Sequence, residues 1–439
     1  MEQFRLPKIP MPTLTLPQSI QDVLKEAEEK LAHRPKLLQL FKNTFPNTLE
    51  TTTKLMDDGT TFVITGDIPA MWLRDSVEQV MHYVPFAKND PELQRILSGL
   101  IKRHMNYIHI DPYANAFNES ANDWHWNTDD ETDMSPWVWE RKFEIDSLCF
   151  SVRLAYAYWK ETGLTDVFDA GFKAAMLKIV ELFKTEQYHF ERSPYRFTRD
   201  NGIPEDSLRN NGLGMPVNYT GMVWSGFRSS DDACDFHYNI PGNMFAVVAL
   251  RHMQEFAEWI FRDMTLLADL KKLEAEIDHG IKLYGIYRHP EFGPIYAYET
   301  DGFGNHCLMD DAGTPGLMSI PYLGYVTADD PIYQNTRRFA LSKENPFYFE
   351  GKMAKGIGSP HTPANYIWHM ALSMQGITAS SAEEKLEMIA MLESTDADTG
   401  FMHEGFHADD PKVFTRSWFA WSNSLFSQLV YKAMKEGIL

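Results

Sequence analysis

Asp231 and Asp232 stand side by side in Trp-Ser-Gly-Phe-Arg-Ser-Ser-Asp-Asp-Ala (224–233), an aromatic, glycine-punctuated segment that also carries Trp224 and Arg228. Two adjacent carboxylates repel when both ionise, so one held partly out of water keeps its proton to a higher pH than usual. Such a carboxyl can donate that proton to a leaving oxygen. Ser230 or Asp231 could equally cap a helix, leaving the other carboxylate solvated. A further carboxylate lies in Thr-Gly-Phe-Met-His-Glu-Gly-Phe-His (399–407). Glu404, beside His403, could take a proton from water as a general base; pairing with Arg416 is the structural alternative. His403 to His407 also spells H-E-x-x-H, a zinc-protease pattern. That pattern needs a helix to put both histidines on one face. Gly400, Gly405 and Asp409-Asp410-Pro411 make this segment a loop, so no metal is assigned to it. Asp396-Ala397-Asp398-Thr399-Gly400 opens like a calcium loop, but its glycine and its twelfth residue, His407, do not fit that ligand set.

Thr65-Gly-Asp-Ile-Pro-Ala-Met-Trp-Leu-Arg-Asp-Ser76 gathers two carboxylates, an arginine and a tryptophan. An indole can cover the C–H face of a sugar ring while Arg74 and Asp75 grip hydroxyls. A buried Arg74–Asp75 ion pair with Trp72 in the core is the alternative reading. Leu308-Met-Asp-Asp-Ala312, with Asp311, and Gly356-Ile-Gly-Ser-Pro-His-Thr362, with His361, are polar turns before apolar runs. Either could be a helix cap. Segment 124–146 adds four tryptophans with Glu140, Lys142, Glu144 and Asp146, and Glu140 or Asp146 could face a pocket.

These residues need elements to position them. Helical periodicity is read near 19–33, 36–56, 70–86, 91–110, 144–163, 168–187, 240–263, 265–284, 311–325, 331–343, 363–378, 381–393 and 414–436. Strand signals are few: Thr61–Ile64, and Pro294–Glu299 turning back at Asp301-Gly302. Helices in pairs, without an alternating strand–helix rhythm, predict an all-α toroid whose long loops gather around a pocket at one end. No linker or fixed-period repeat appears, so one domain over 1–439 is expected, with an extended proline-rich arm over 1–18.

A formal charge of −20, from 61 acidic and 41 basic residues, argues against nucleic acid as a partner. No polybasic patch or membrane-length apolar run points to a membrane. Cys149, Cys234 and Cys307 are odd in number and widely spaced, as reduced cysteines are. With no signal segment visible, a cytoplasmic location is expected. No phosphate loop, dinucleotide fingerprint or nucleophile elbow occurs, so no cofactor is implied.

Six blocks resemble glycoside hydrolase family 125, the exo-α-1,6-mannosidases: 65–76, 224–233, Tyr-Glu-Thr-Asp-Gly-Phe-Gly-Asn (298–305), 308–312, 356–362 and Met-His-Glu-Gly-Phe (402–406). They run in the family's order across most of the chain. The resemblance implies an (α/α)6 barrel and metal-independent, inverting removal of terminal α-1,6-linked mannose from N-glycan-type oligosaccharides. It implies Asp231 as general acid and Glu404 as general base, acting on an α-1,6-linked mannooligosaccharide. Trp72, Arg74, Asp75, Glu140, Arg228, Asp232, Asp311, His361 and His403 are expected to bind the sugar. The family commonly has Asn after Asp-Asp-Ala, where this chain has Gly313, a departure expected to bear on the aglycone side. A noncatalytic mannose-binding protein, an α/α-barrel glycosidase of another linkage and, remotely, a zinc peptidase are the alternatives. The oligomeric state is left open.

Overall fold

A computed structural model describes residues 14–439; most of the expected arm over 1–18 lies outside them. The described residues form fourteen α-helices: α1 Gln18–Lys30, α2 Pro35–Thr44, α3 Leu73–Met81, α4 Pro91–Ile110, α5 Ile145–Thr162, α6 Ala170–Glu186, α7 His189–Arg192, α8 Ile240–Glu255, α9 Met264–Tyr284, α10 Ile320–Leu323, α11 Pro331–Ala340, α12 His369–Ile377, α13 Ala382–Ser394 and α14 Ala420–Lys435. Six make an inner ring. α3 packs on α5, α5 on α8, α8 on α10, and α12 on the Leu317–Ser319 turn that leads into α10. α12 then packs on α14, and α14 closes the ring on α3. Outer helices alternate with them in the chain: α4 lies on α5, α9 on α8, α13 on α12, and α2 on α14. This is the expected (α/α)6 barrel.

Burial separates the two rings. α8 is buried continuously from Ile240 to Leu250, as a helix surrounded by protein must be. The outer α1 buries only Ile20, Val23 and Ala27, one stripe at helical spacing. One hydrophobic core runs from Ile20 to Met434.

The strands, none longer than five residues among the described ones, sit mostly where chain enters the inner ring. Met71–Trp72 leads into α3, Tyr238–Asn239 into α8 and Tyr366–Trp368 into α12. Their sheets link segments distant in sequence: Trp72 pairs with Ala116, and Ala116 with Glu140. Trp368 pairs with Gly405.

Several expected elements end early for physical reasons. The helix over 36–56 stops at Thr44; Pro46 follows, then a π-helical turn and a strand of Thr53–Leu55. The helix over 311–325 shrinks to α10, because Gly313, Pro315 and Gly316 hold 311–316 as loop. Helices expected from 70, 363 and 414 start later, at Leu73, His369 and Ala420. Pro294–Tyr296 pairs back with Ile286–His289, while the Asp301-Gly302 turn joins a different antiparallel pair, Glu299–Thr300 with His306–Cys307.

Candidate active site

Three inner helices begin with an aromatic residue that offers no side-chain cap: Trp72 before α3, Trp368 before α12 and Phe419 before α14. All three rings face a cavity of about 320 Å3 at the N-terminal end of the ring. The helix ends there present partial positive charge, which suits the carboxylates gathered among them. Seven of the eleven residues singled out in the sequence line this cavity: Trp72, Arg74, Asp75, Glu140, Asp231, His361 and Glu404.

Arg74, in the first turn of α3, is the central tie. Its guanidinium donates to Glu144 at 2.6 Å, to Asp146 at 3.2 Å and to Asp231 at 2.9 Å. Asp75, at 3.8 Å from Nε, is the looser partner. The expected Arg74–Asp75 grip is therefore mostly an arginine clamp on two loops, with Nε left free of protein partners. The indole N–H groups of Trp72 and Trp421 are likewise buried without one. Unpaired buried donors in a cavity wall are groups a ligand oxygen can satisfy.

Asp231 sits in the left-handed region, φ +69°, an uncommon state for a residue other than glycine. Lys142 Nζ donates to its carbonyl oxygen at 2.7 Å and to Asp206 at 2.8 Å. The turn closes as Arg228 N donates to the Asp232 carbonyl at 2.8 Å. Asp231 thereby presents its side chain, 27% exposed, to the cavity, whereas Asp232, at 4%, turns inward. The mutual repulsion expected to keep Asp231 protonated is not what governs it. Burial pushes its pKa up, but Arg74, a hydrogen bond with Glu144, Lys142 and His361 hold it well below the carboxylate range. Glu144 is displaced the other way, well above that range, by burial and by Asp231, against the pull of Arg74.

Glu404 stands at the entrance to the short strand Gly405–His407, paired to Tyr366–Trp368. Its main-chain carbonyl accepts from His369 N at 3.3 Å, which ties it to the start of α12. Arg416 lies 3.6 Å from the Glu404 carboxylate. Asp67 accepts from Arg416 at 2.5 and 3.0 Å. The segment His403–His407 is coil and strand, so the helical spacing of H-E-x-x-H is not realised.

His361 donates to Asp232 through Nδ1 at 2.9 Å. Burial alone would lower its pKa, but Asp232, with Glu404 and Asp231, raises it to about 9. Asp75 is raised to about 6 by burial, opposed by Arg74 and reinforced by Asp231. Glu140 is held between Arg199 and Asn115, each at 2.9 Å.

Four expected contact residues do not line the cavity. Asp232 is buried behind His361, and Asp311 accepts from Ser230 at 2.6 Å. His403 is buried, stacked on Phe414 at 3.8 Å, and bonds the Arg416 carbonyl at 3.1 Å. Arg228 binds Glu299 at 2.5 Å and Asp235 at 2.9 Å, and faces a second cavity of about 330 Å3 across the loop. Arg228 and Asp232 are held by charged partners, whereas Asp311 and His403 are held by a serine hydroxyl and a main-chain carbonyl. Conversely, Arg199, Asp206 and Trp421 line the cavity and were not singled out. Arg199 and Asp206 lie in an irregular loop with no periodic signal, and Trp421 in the first turn of a helix otherwise read as core.

Comparison with known proteins gives the family. Residues 34–431 match the family described as metal-independent alpha-mannosidase (GH125). A solved Streptococcus pneumoniae metal-independent α-mannosidase, in a non-productive complex with α-1,6-mannobiose, is 46% identical. It superposes with a TM-score of 0.93 over 95% of this chain and 98% of that one. The Schizosaccharomyces pombe meiotically up-regulated gene 157 protein is 37% identical over 94% of this chain and 84% of its own length. Neutral trehalase from Saccharomyces cerevisiae, 11% identical over 90% of this chain and 82% of its own, shares the fold with a TM-score of 0.54. The chain belongs to the GH125 family of metal-independent α-mannosidases, and is a glycoside hydrolase of that kind.

Proposed function

We propose that this chain is an inverting, exo-acting α-1,6-mannosidase that trims terminal α-1,6-linked mannose from N-glycan-type oligosaccharides. In this reading Asp231 is the general acid, Glu404 the general base, and the whole ring one catalytic domain. The observation that carries it is that these two carboxyl groups, from loops 173 residues apart, line one enclosed cavity with Trp72, Asp75 and His361. The mannobiose bound by the Streptococcus pneumoniae relative supports the choice of linkage.

The reaction is a single displacement. Asp231 passes a proton to the glycosidic oxygen as the C1–O bond breaks, while Glu404 takes a proton from the water that bonds to C1. An inverting pair needs roughly 6.5–9.5 Å between its carboxyl groups to admit that water. Arg416, anchored by Asp67, holds Glu404 in place. Asp75 and His361 offer hydrogen bonds to hydroxyls, and Trp72 an apolar wall.

Replacing Glu404 by Gln is expected to lower kcat on α-1,6-mannobiose by about 10²–10⁴-fold, with sugar binding retained by calorimetry. Near-normal turnover would remove Glu404 from the mechanism. NMR of fresh product should show β-mannose before mutarotation; α-mannose first would contradict inversion. Binding without any turnover would favour a mannose-binding protein instead.

A further inference from the structure

We propose that Glu144 stores the proton that Asp231 delivers, so that the acid of this site is a pair of carboxyl groups bridged by Arg74. This rests on Asp231 being the general acid and adds a partner behind it.

Charge balance is the first ground. The single guanidinium of Arg74 faces four carboxyl groups: Glu144, Asp146, Asp231 and, at 3.8 Å, Asp75. No neighbouring cation is spare. Lys142 binds Asp206 and the Asp231 carbonyl, and also faces Glu140. Arg199 is taken by Asp130 and Glu140, His361 by Asp232, and Arg416 by Asp67 and Glu404. Tyr195, the neutral group nearby, donates to the Arg141 carbonyl. Four carboxylates cannot all stay ionised around one buried cation, so the cluster holds a proton.

Geometry says where the proton resides. Glu144 and Asp231 accept from the two terminal nitrogens of the same guanidinium, at 2.6 and 2.9 Å, which sets their carboxyl groups side by side where they can share one proton. Glu144 is wholly buried, whereas Asp231 is 27% exposed and faces the cavity. Low dielectric favours the neutral form on the buried member. Ser147 and Asn115 donate to the Glu144 oxygens at 3.0 and 3.3 Å and fix its orientation. Asp231, held among cations, gives up a proton readily but would not keep one at neutral pH. A buried reservoir held beside it on the same guanidinium supplies it.

The step balances. The Glu144 carboxyl proton moves to an Asp231 oxygen, and the Asp231 proton moves to the glycosidic oxygen as its bond to C1 breaks. Water bonds to C1 and yields a proton to Glu404. Release of that proton to solvent and uptake of one by Glu144 restore the site. Glu144 touches no reacting atom, and is a positioning residue.

Glu144→Gln keeps shape and a hydrogen-bond donor but cannot surrender a proton. The test compares α-1,6-mannobiose, whose leaving oxygen needs protonation, with 2,4-dinitrophenyl α-mannoside, whose leaving group does not. E144Q is expected to lose about 100-fold or more in kcat/KM on the disaccharide and only a few-fold on the aryl substrate. The alkaline limb of its disaccharide profile should move to lower pH by about one unit or more. Titration of His361 affects both substrates alike and cannot mimic this split. Equal losses on both substrates, with the limb unmoved, would overturn the proposal. Asp231→Asn separates the two readings: if D231N shows the leaving-group split and E144Q does not, Asp231 remains the acid and the reservoir is wrong. If D231N shows no split, both fall. Should E144Q not fold, Glu144→Asp retains a carboxyl, and its disaccharide-selective loss should be partial; a substrate-independent loss counts against the proposal.

Discussion

Asp75 shows how single residues here trade stability for chemistry. Its carboxyl is buried with a pKa raised to about 6. A carboxyl raised in the folded state contributes stability that is fully present below its unfolded value and is lost as pH rises through the folded one. At neutral pH ionised Asp75 is therefore a liability. Asp75→Asn is expected to stabilise the fold by up to about 3 kcal/mol at about pH 7, with the gain vanishing near pH 4, in denaturant unfolding at both pH values. The same variant should lose activity, because Asp75 lines the cavity. His361 is raised as well, by the carboxylates around it, and NMR should find its ring titrating near pH 9 and at clearly lower pH in Asp232→Asn, where only Glu404 and Asp231 still oppose burial. Much at this scale was legible: local motifs pointed to Asp231, Glu404, Trp72 and His361. What misled was competition among buried charges. Adjacent carboxylates suggested that one of the pair is raised, but at Asp231 the cations Arg74 and Lys142, distant in sequence, reverse the sign.

At the scale of elements, the short strands set the angle at which each inner helix enters the ring. Gly66 bridges to Phe419 just before α14, at φ +129°, and a Cβ there would lie 2.6 Å from the Trp418 carbonyl. Gly66→Ala is expected to cost about 2–3 kcal/mol in denaturant unfolding and to reduce kcat, since Asp67 and its grip on Arg416 follow directly. Gly313 is similarly constrained, with an added Cβ pressing on Ser229 in the cavity wall. Long helices were read well, α4 over its full length, because their periodicity repeats over several turns. Two- and three-residue strands carry no such repeat. They exist because loops from separate hairpins meet, and sequence spacing does not record that meeting.

Over the whole molecule, the cavity is lined by the starts of α3 and α14 and by loops from all along the chain, among them the segments that lead into α5 and α12. The exo-acting reading predicts removal of one sugar at a time: α-1,6-mannotriose should give mannose and mannobiose first, and chromatographic detection of internal cleavage in longer mannan chains would contradict it. The ring itself was legible from paired helices without a strand rhythm, whereas which helix closes it was not. That closure, α14 against α3, brings the last helix of the chain onto the first of its inner ring. A nascent polypeptide can therefore assemble most of its scaffold while still emerging from the ribosome, yet it has no complete pocket until Phe419 and Trp421 have been synthesised and docked. Termination between the end of α13 at Ser394 and Phe419 should yield protein with much of its helix content and none of its catalysis.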